Sequence, residues 1–576
     1  MTLLTIDKVQ NTKSSHLGLD PTGLTATSAA SAPTATSATF VAPAAVAVAA
    51  TAATAATAAP VPLAELTEMQ ASRFLAQASM GASRAEIARV KAQGLSGWID
   101  GQLAMPQSQS RWDWLVSKRA VASKGKRGYL FDSCNWKKFI FSPDTLRQRM
   151  TMVLSEILVV NVDQFSAGGW KVFTGASYLD LLEANAFGNY RELLGKISVS
   201  TAMGSYLTFK GNVKYNPVTG AMPDENYARE IMQLFSIGLV QLNLDGSPQL
   251  LNGKEVETYT MDDVTGLARV FTGWDYDMKN LNNRDKPDYI RRPMAQRSDR
   301  HETGASTFLN RTIPSGLNGQ ASLNMALDVL FAHQNVAPFI SKQLIQKLVT
   351  SNPSPSYIRR VATVFNNDGK GVKGNLAAVI KAILLDNEAR DDSQAMSATN
   401  TTFGKQREPI LRFVAWSRAY SASSTNDTWA INKTSSPGTE LAQSPLHSPS
   451  VFNFYRPGYV PPNSAIANAR LVAPEFQLTN ETTVAGYINY MQAAVSNGVG
   501  DVKPDYTSLL PKADDVQALL SEINLVLAAG QIANSTMILI KNAVGSMPSG
   551  TKAARYNRIY ASLTLVLAAP EFIVLK

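Results

Sequence analysis

Between Asp224 and Glu230, in MPDENYAREIMQLFSIG (222–238), the chain sets three carboxylates, an amide, a phenol and a guanidinium just ahead of an apolar run. Helical spacing accounts for most of them. Asp224 suits an N-cap, whose side chain accepts the free N–H groups of the first turn. Glu225 stands four residues before Arg229, the favourable orientation for an exposed pair. On a helical wheel Tyr227, Ala228, Ile231, Leu234 and Phe235 share one side, and Glu225, Arg229, Gln233 and Ser236 the other. Glu230 falls at the border, beside Leu234 and Ile237. A carboxyl there is partly desolvated, which either raises its pKa or requires a cationic partner. General acids and bases occupy such positions, and so do structural ion pairs; a structural brace is the expectation.

A second candidate is HETGASTFLN (301–310), where His301 and Glu302 sit in a glycine-containing loop. It is not H-E-x-x-H, because Ala305 stands where the second histidine would be. A loop histidine bonded to backbone is the plainer reading. Set opposite Glu230, either Glu302 or Asp263 would complete a carboxyl pair of the kind glycoside hydrolysis uses, one protonated and one ionised. The candidate catalytic set is therefore Glu230, Asp263, His301 and Glu302. It counts as a site only if the fold gathers these side chains in one cleft.

Other chemistries are poorly supplied. GKGVKG (369–374) satisfies G-x-G-x-x-G, but Ile358, Val361, Ala362 and Phe365 before it repeat at helical spacing, whereas a dinucleotide cradle follows a strand. A helix end, a turn and an Asn375 cap are expected there instead. Cys134, the single cysteine, excludes a disulfide and multi-cysteine metal sites, and a buried small side chain is the expectation. Of His16, His301, His333 and His447, the first falls in a tail, so a three-histidine zinc centre would consume all the others. No cofactor or metal is expected. FNFYRPGY (452–459) is an aromatic loop that suits stacking on sugar rings or folding back on the core.

The elements that must position these residues are helical. Ser142-Pro143 is read as a cap and first-turn proline ahead of Leu146, Met150, Val153, Leu154 and Ile157. Thr260 and Asp263 imitate a capping box. SNPSPSY (351–357) forces an extended break. ADDVQALLSEINLVLAAG ends at Gly530, and YNRIYASLTLVLAAP is stopped by Pro570. Strand patterns are confined to SYLTF (205–209) and the final EFIVLK, and 421–465 reads as a long irregular connection. The fold class is all-α with minor β.

The chain has 576 residues, which exceeds the reach of one core, so one large composite domain or two fused lobes is expected. Residues 1–62 are nearly all Ala, Thr, Ser, Val and Pro and read as a disordered spacer, since small side chains bury too little to offset ordering. The remainder, 63–576, is the helical domain. A secretory signal competes for the tail, although no basic segment stands directly before the uncharged run and Pro43 interrupts it. No stretch has the length and apolarity of a membrane span. A net charge of +9 is compatible with an anionic partner, but the charges are mixed. The densest basic patch, Lys124 to Arg127, is too short and too poor in aromatics for a nucleic-acid footprint.

Several segments in order resemble the large bacterial family catalogued as domain of unknown function 1800. They are RFLAQASMG (73–81), LRQRMTMVLSEILVV (146–160), DENYAREIMQLFSIGL (224–239), YTMDDVTGLARVFTGW (259–274), HETGASTFLN (301–310), the run from Phe339 to Arg390, GKQREPILR (404–412) and SPSVFNFYRPGY (448–459). The departures are small: Glu302 where the family usually has Asp, Met80 where it often has Phe, and Ala305-Ser306 in place of a Glu-Lys pair. The resemblance implies an exported, extracellular or periplasmic protein, often encoded beside a second protein of the alkaline phosphatase and sulfatase fold. It implies no reaction. The resulting expectation is a helical protein that binds an extracellular polymer, anionic or glycan, or a partner protein. A hydrolase acting on such a polymer through Glu230 is the alternative.

Overall fold

Apolar residues at three- and four-residue spacing dictate helices nearly throughout. The computed structural model describes residues 65–122, 127–165, 170–281, 283–397 and 399–576. The expected spacer over residues 1–62, and Lys124 to Lys126 of the basic patch, lie outside the described residues. Helices predominate, and the strands form two-stranded antiparallel pairs of two or three residues a strand.

Local signals act largely as their chemistry directs. Thr260 and Asp263 close the expected capping box on Met261–Ala268. After Pro355–Asn366 the chain turns through Gly369, Gly371 and Gly374, and Asn375 caps Leu376–Leu385 by accepting the Ala378 N–H. The helix Val516–Ala528 ends at a left-handed Ala529 followed by Gly530, and Lys552–Ala568 stops just before Pro570.

Three local expectations need correction. Ser142 terminates Tyr129–Phe141 rather than opening the next helix, and Asp144 takes the N-cap position of Thr145–Ile157. The strand expected at SYLTF is instead the end of a helix, Thr201–Tyr206, begun by Ser200 accepting the Met203 N–H. Every residue of that helix is buried, so no polar face marks its period. Asp224 stands one residue too early to cap: Glu225 is the N-cap of Asn226–Gln233 and makes no cap bond, while Asp224 accepts the Asn226 N–H at 2.9 Å. The strand expected over EFIVLK forms only in part: Pro570–Ile573 is a short helix, and Val574–Leu575 pairs with Lys405–Gln406.

Residues 64–576 pack as one unit rather than two lobes. Its centre includes Thr145–Ile157, buried on nearly all sides. Against one end of this helix lie Val336–Leu348, the segment just after Asn226–Gln233, and the irregular loop at 451–458. Among the described residues no helix is long and apolar enough to cross a membrane.

Candidate functional site

The four side chains singled out by sequence have separate occupations. Glu230 is 8 % exposed; burial raises its pKa against the weaker pull of Arg229, and its Oε2 meets no hydrogen-bond donor. Asp263 accepts from Thr260 and takes the Leu309 N–H at 2.6 Å, so it is both cap and loop anchor. His301 is buried, with Nδ1 3.0 Å from the Thr272 carbonyl oxygen, and burial lowers its pKa. A neutral ring donating from Nδ1 fits that contact; its Nε2 has no partner. Glu302 Oε1 accepts the Gly304 N–H, and Oε2 lies 3.5 Å from Arg269. Thr272 ties His301 to Glu302, since its hydroxyl accepts the Glu302 N–H. None of the four lines the principal cleft.

That cleft has a volume of about 390 Å³ and is predominantly apolar. One wall is a stripe of the 336–348 helix: Phe339, Lys342, Gln343, Gln346 and Lys347 recur at three- and four-residue spacing and share a face. The second wall begins where Asn226–Gln233 ends. There Gly238 adopts a φ of 71°, and a Cβ on it would lie 2.7 Å from the Phe339 ring, so glycine alone permits the turn that delivers Leu239 and Val240 to the rim. The third wall is the aromatic loop, with Val451, Phe452, Tyr455 and Arg456. The loop folds back on the core through Tyr455, which is buried, while Phe452 remains half-buried and Arg456 exposed.

The floor is polar and largely dry. Glu156, from the 145–157 helix, lies 3.0 Å from Lys347 Nζ, which also donates to the Tyr455 hydroxyl at 2.9 Å and sits over that ring. Glu408 follows the 405–406 strand and accepts from Gln443 Nε2 at 2.6 Å. The Glu156 and Glu408 carboxyls act on one another electrostatically, which opposes the ionisation of both at once. Burial and the neighbouring Glu408 charge outweigh Lys347 and raise the pKa of Glu156. That of Glu408 is lowered: burial pushes upward, but the Glu156 carboxyl and the surrounding cations Lys347, Lys405 and Arg149 prevail. The two carboxyls therefore titrate as a pair, Glu156 keeping its proton while Glu408 ionises. Beside it, Lys405 pairs with Glu475 at 2.9 Å. Arg149 and Lys405 both donate to the Lys347 carbonyl, supplying cations to the C-terminal end of the 336–348 helix.

Sequence reading missed this centre. Glu156 interrupts the apolar run MTMVLSEILVV, and Lys405, Arg407 and Glu408 crowd the approach to an apolar helix; both are charges where a core pattern leaves no solvent for them. That was the available signal. Nothing in sequence shows that residues 156, 347, 408 and 455 meet. Cys134 is buried as expected, with its thiol pKa raised by loss of water. Among the described residues no three His, Cys, Asp or Glu side chains are grouped as metal ligands.

Comparison with known proteins gives one match. The profile of the family described as "Protein of unknown function (DUF1800)" aligns with residues 73–574. No curated protein and no solved structure matches the chain at a significant level.

Proposed function

The chain belongs to the DUF1800 family, and from that premise we propose that it is a binding protein of the cell exterior whose cleft seats an apolar group carried by an extracellular polymer. One observation carries the reading. Five separate segments through which the chain resembles its family, those starting at 146, 224, 339, 404 and 448, supply the walls and floor of this cleft. Volume and lining agree: pockets of roughly 300–1,000 Å³, mostly apolar with a few fixed polar groups, are the usual form of a ligand site. The exterior location rests on the family resemblance.

Leu239, exposed at the rim, provides the test. Sedimentation with insoluble polymers (an aliphatic polyester, chitin and peptidoglycan) is expected to retain the protein on at least one, with retention lost in Leu239→Trp, which blocks the cleft, and weakened in Phe452→Ala. Retention indifferent to both substitutions, or retention on none, would sink the reading; retention by a partner protein instead would move the ligand to the other class.

A second reading, hydrolysis of that polymer, has one observation in its favour. The acid it needs is better supplied by Glu156, which reaches the cleft and whose pKa is raised by burial and by Glu408, than by Glu230, which does not line it. Two carboxyls with pKa values driven apart are the arrangement acid catalysis uses. Soluble product released by the wild type but not by a Glu156→Gln variant that still binds would establish it.

A further inference from the structure

Three donor groups on the cleft walls meet no acceptor within the described residues. Lys342, half-buried in the cleft wall, makes no hydrogen bond or ion pair. Gln343, its neighbour on the same helix, is 9 % exposed, and its Nε2 has no partner. The Arg456 guanidinium lies over the Phe452 ring, 5.0 Å from its centroid, and faces no carboxylate. The nearby carboxyls are engaged: Glu156 with Lys347 and Glu408, Glu475 with Lys405.

A half-buried ammonium on an apolar wall with no protein counter-charge, beside a buried amide N–H with no acceptor, is a ready partner for an incoming anion. The floor offers no spare carboxylate, since Lys347 lies on Glu156 and Lys405 on Glu475. Lys342 Nζ and Gln343 Nε2 offer one donor to each of two oxygens, the valence of a carboxylate. Around them Leu234, Leu239, Val240, Phe339 and Val451 present only hydrocarbon.

We infer that the group entering the cleft is an apolar chain ended by a carboxylate, its head on Lys342 and Gln343 and its chain along Leu234, Phe339 and Val451. The inference rests on the cleft being a ligand site and adds what the ligand must carry.

Titration calorimetry on the full chain tests it with four ten-carbon probes: decanoate, decyl phosphate, decanol and decyltrimethylammonium. One decanoate per chain is expected, with decanol and the cation about tenfold weaker or more, the loss of roughly one charge-assisted contact. Lys342→Met keeps the aliphatic stem and removes the charge. It is expected to weaken decanoate about tenfold and leave decanol unchanged. Decanol binding as tightly as decanoate, or Lys342→Met weakening both alike, would overturn the carboxylate head while leaving an apolar ligand site in place. Decyl phosphate binding more tightly than decanoate would overturn it in favour of a phosphate. Binding of none of the four would remove the ligand site itself.

Discussion

Lys342 and Lys347 stand five residues apart on one helix and answer to opposite physics. Lys347 is buried against Glu156 and Tyr455, so Lys347→Met leaves a carboxyl pair without its cation and is expected to cost about 3 kcal/mol in chemical denaturation. Lys342 has no protein partner to lose, and Lys342→Met is expected to unfold no earlier than the wild type. Glu230 makes the same point for carboxyls. As a brace matched to a cation it would be badly missed; with no ion partner and a raised pKa, it is a burden once ionised. Its folded pKa lies above the unfolded value, so its contribution to stability is neutral at acid pH and becomes unfavourable as pH rises from the ordinary carboxylate range to the folded value. Glu230→Gln is accordingly expected to match the wild type at pH 4 and exceed it at pH 8, an order reversed from that of a salt-bridged residue. The Glu156–Glu408 pair acts on both flanks. It holds one proton in the folded state, whereas the unfolded chain holds two below the carboxylate range and none above it. Stability from the pair therefore rises with pH on the acid side, peaks within that range and falls on the alkaline side. In Glu156→Gln the alkaline fall is expected to vanish, because glutamine has no proton to lose beside Glu408.

At the scale of elements, the cleft depends on how helices stop. Asn226–Gln233 ends in a turn closed by the Ile237 and Gly238 N–H groups on the Met232 carbonyl, and the positive φ of Gly238 brings the backbone against Phe339. Gly238→Val adds both a strained backbone and a collision with that ring, and is expected to cost roughly 2–4 kcal/mol and to narrow the cleft together. A loss of stability with ligand binding intact would show that the turn does not shape the wall. The 336–348 helix contributes through its face and its end alike: the stripe of Phe339, Lys342, Gln343 and Gln346 forms a wall, and its terminal carbonyl gathers Arg149 and Lys405.

Across the whole molecule, residues distant in sequence hold the floor. The final strand, Val574–Leu575, pairs with Lys405–Gln406, the Ile573 carbonyl accepts the Arg407 N–H at 2.7 Å, and Arg73 near the start of the described chain donates to the Lys576 carbonyl at 2.8 Å. Glu408 follows directly. Deleting Val574–Lys576 touches no lining residue, yet it is expected to lower the melting temperature and to speed amide exchange at residues 405–408. Unchanged exchange there would show that the 405–408 segment is held by its other neighbours.

Periodicity and capping chemistry were enough to read a helical protein, the first part of the break at 351–357, the stop before Pro570, the box at Thr260–Asp263, the turn at 369–374 and the last two residues of strand, because each rests on neighbours in the chain. They failed at Thr201–Tyr206, where burial on every side erases the period, and at Ser142 and Asp224, where a shift of two residues and of one changes which group is the cap. Glu230 was legible as a desolvated carboxyl, since its wheel position alone sets that. Whether a cation answers it, and whether Glu156, Lys347, Glu408 and Tyr455 meet at the floor of a cleft, only the tertiary structure decided. Desolvation can be inferred from one helix, but pairing is a distance between elements that lie hundreds of residues apart.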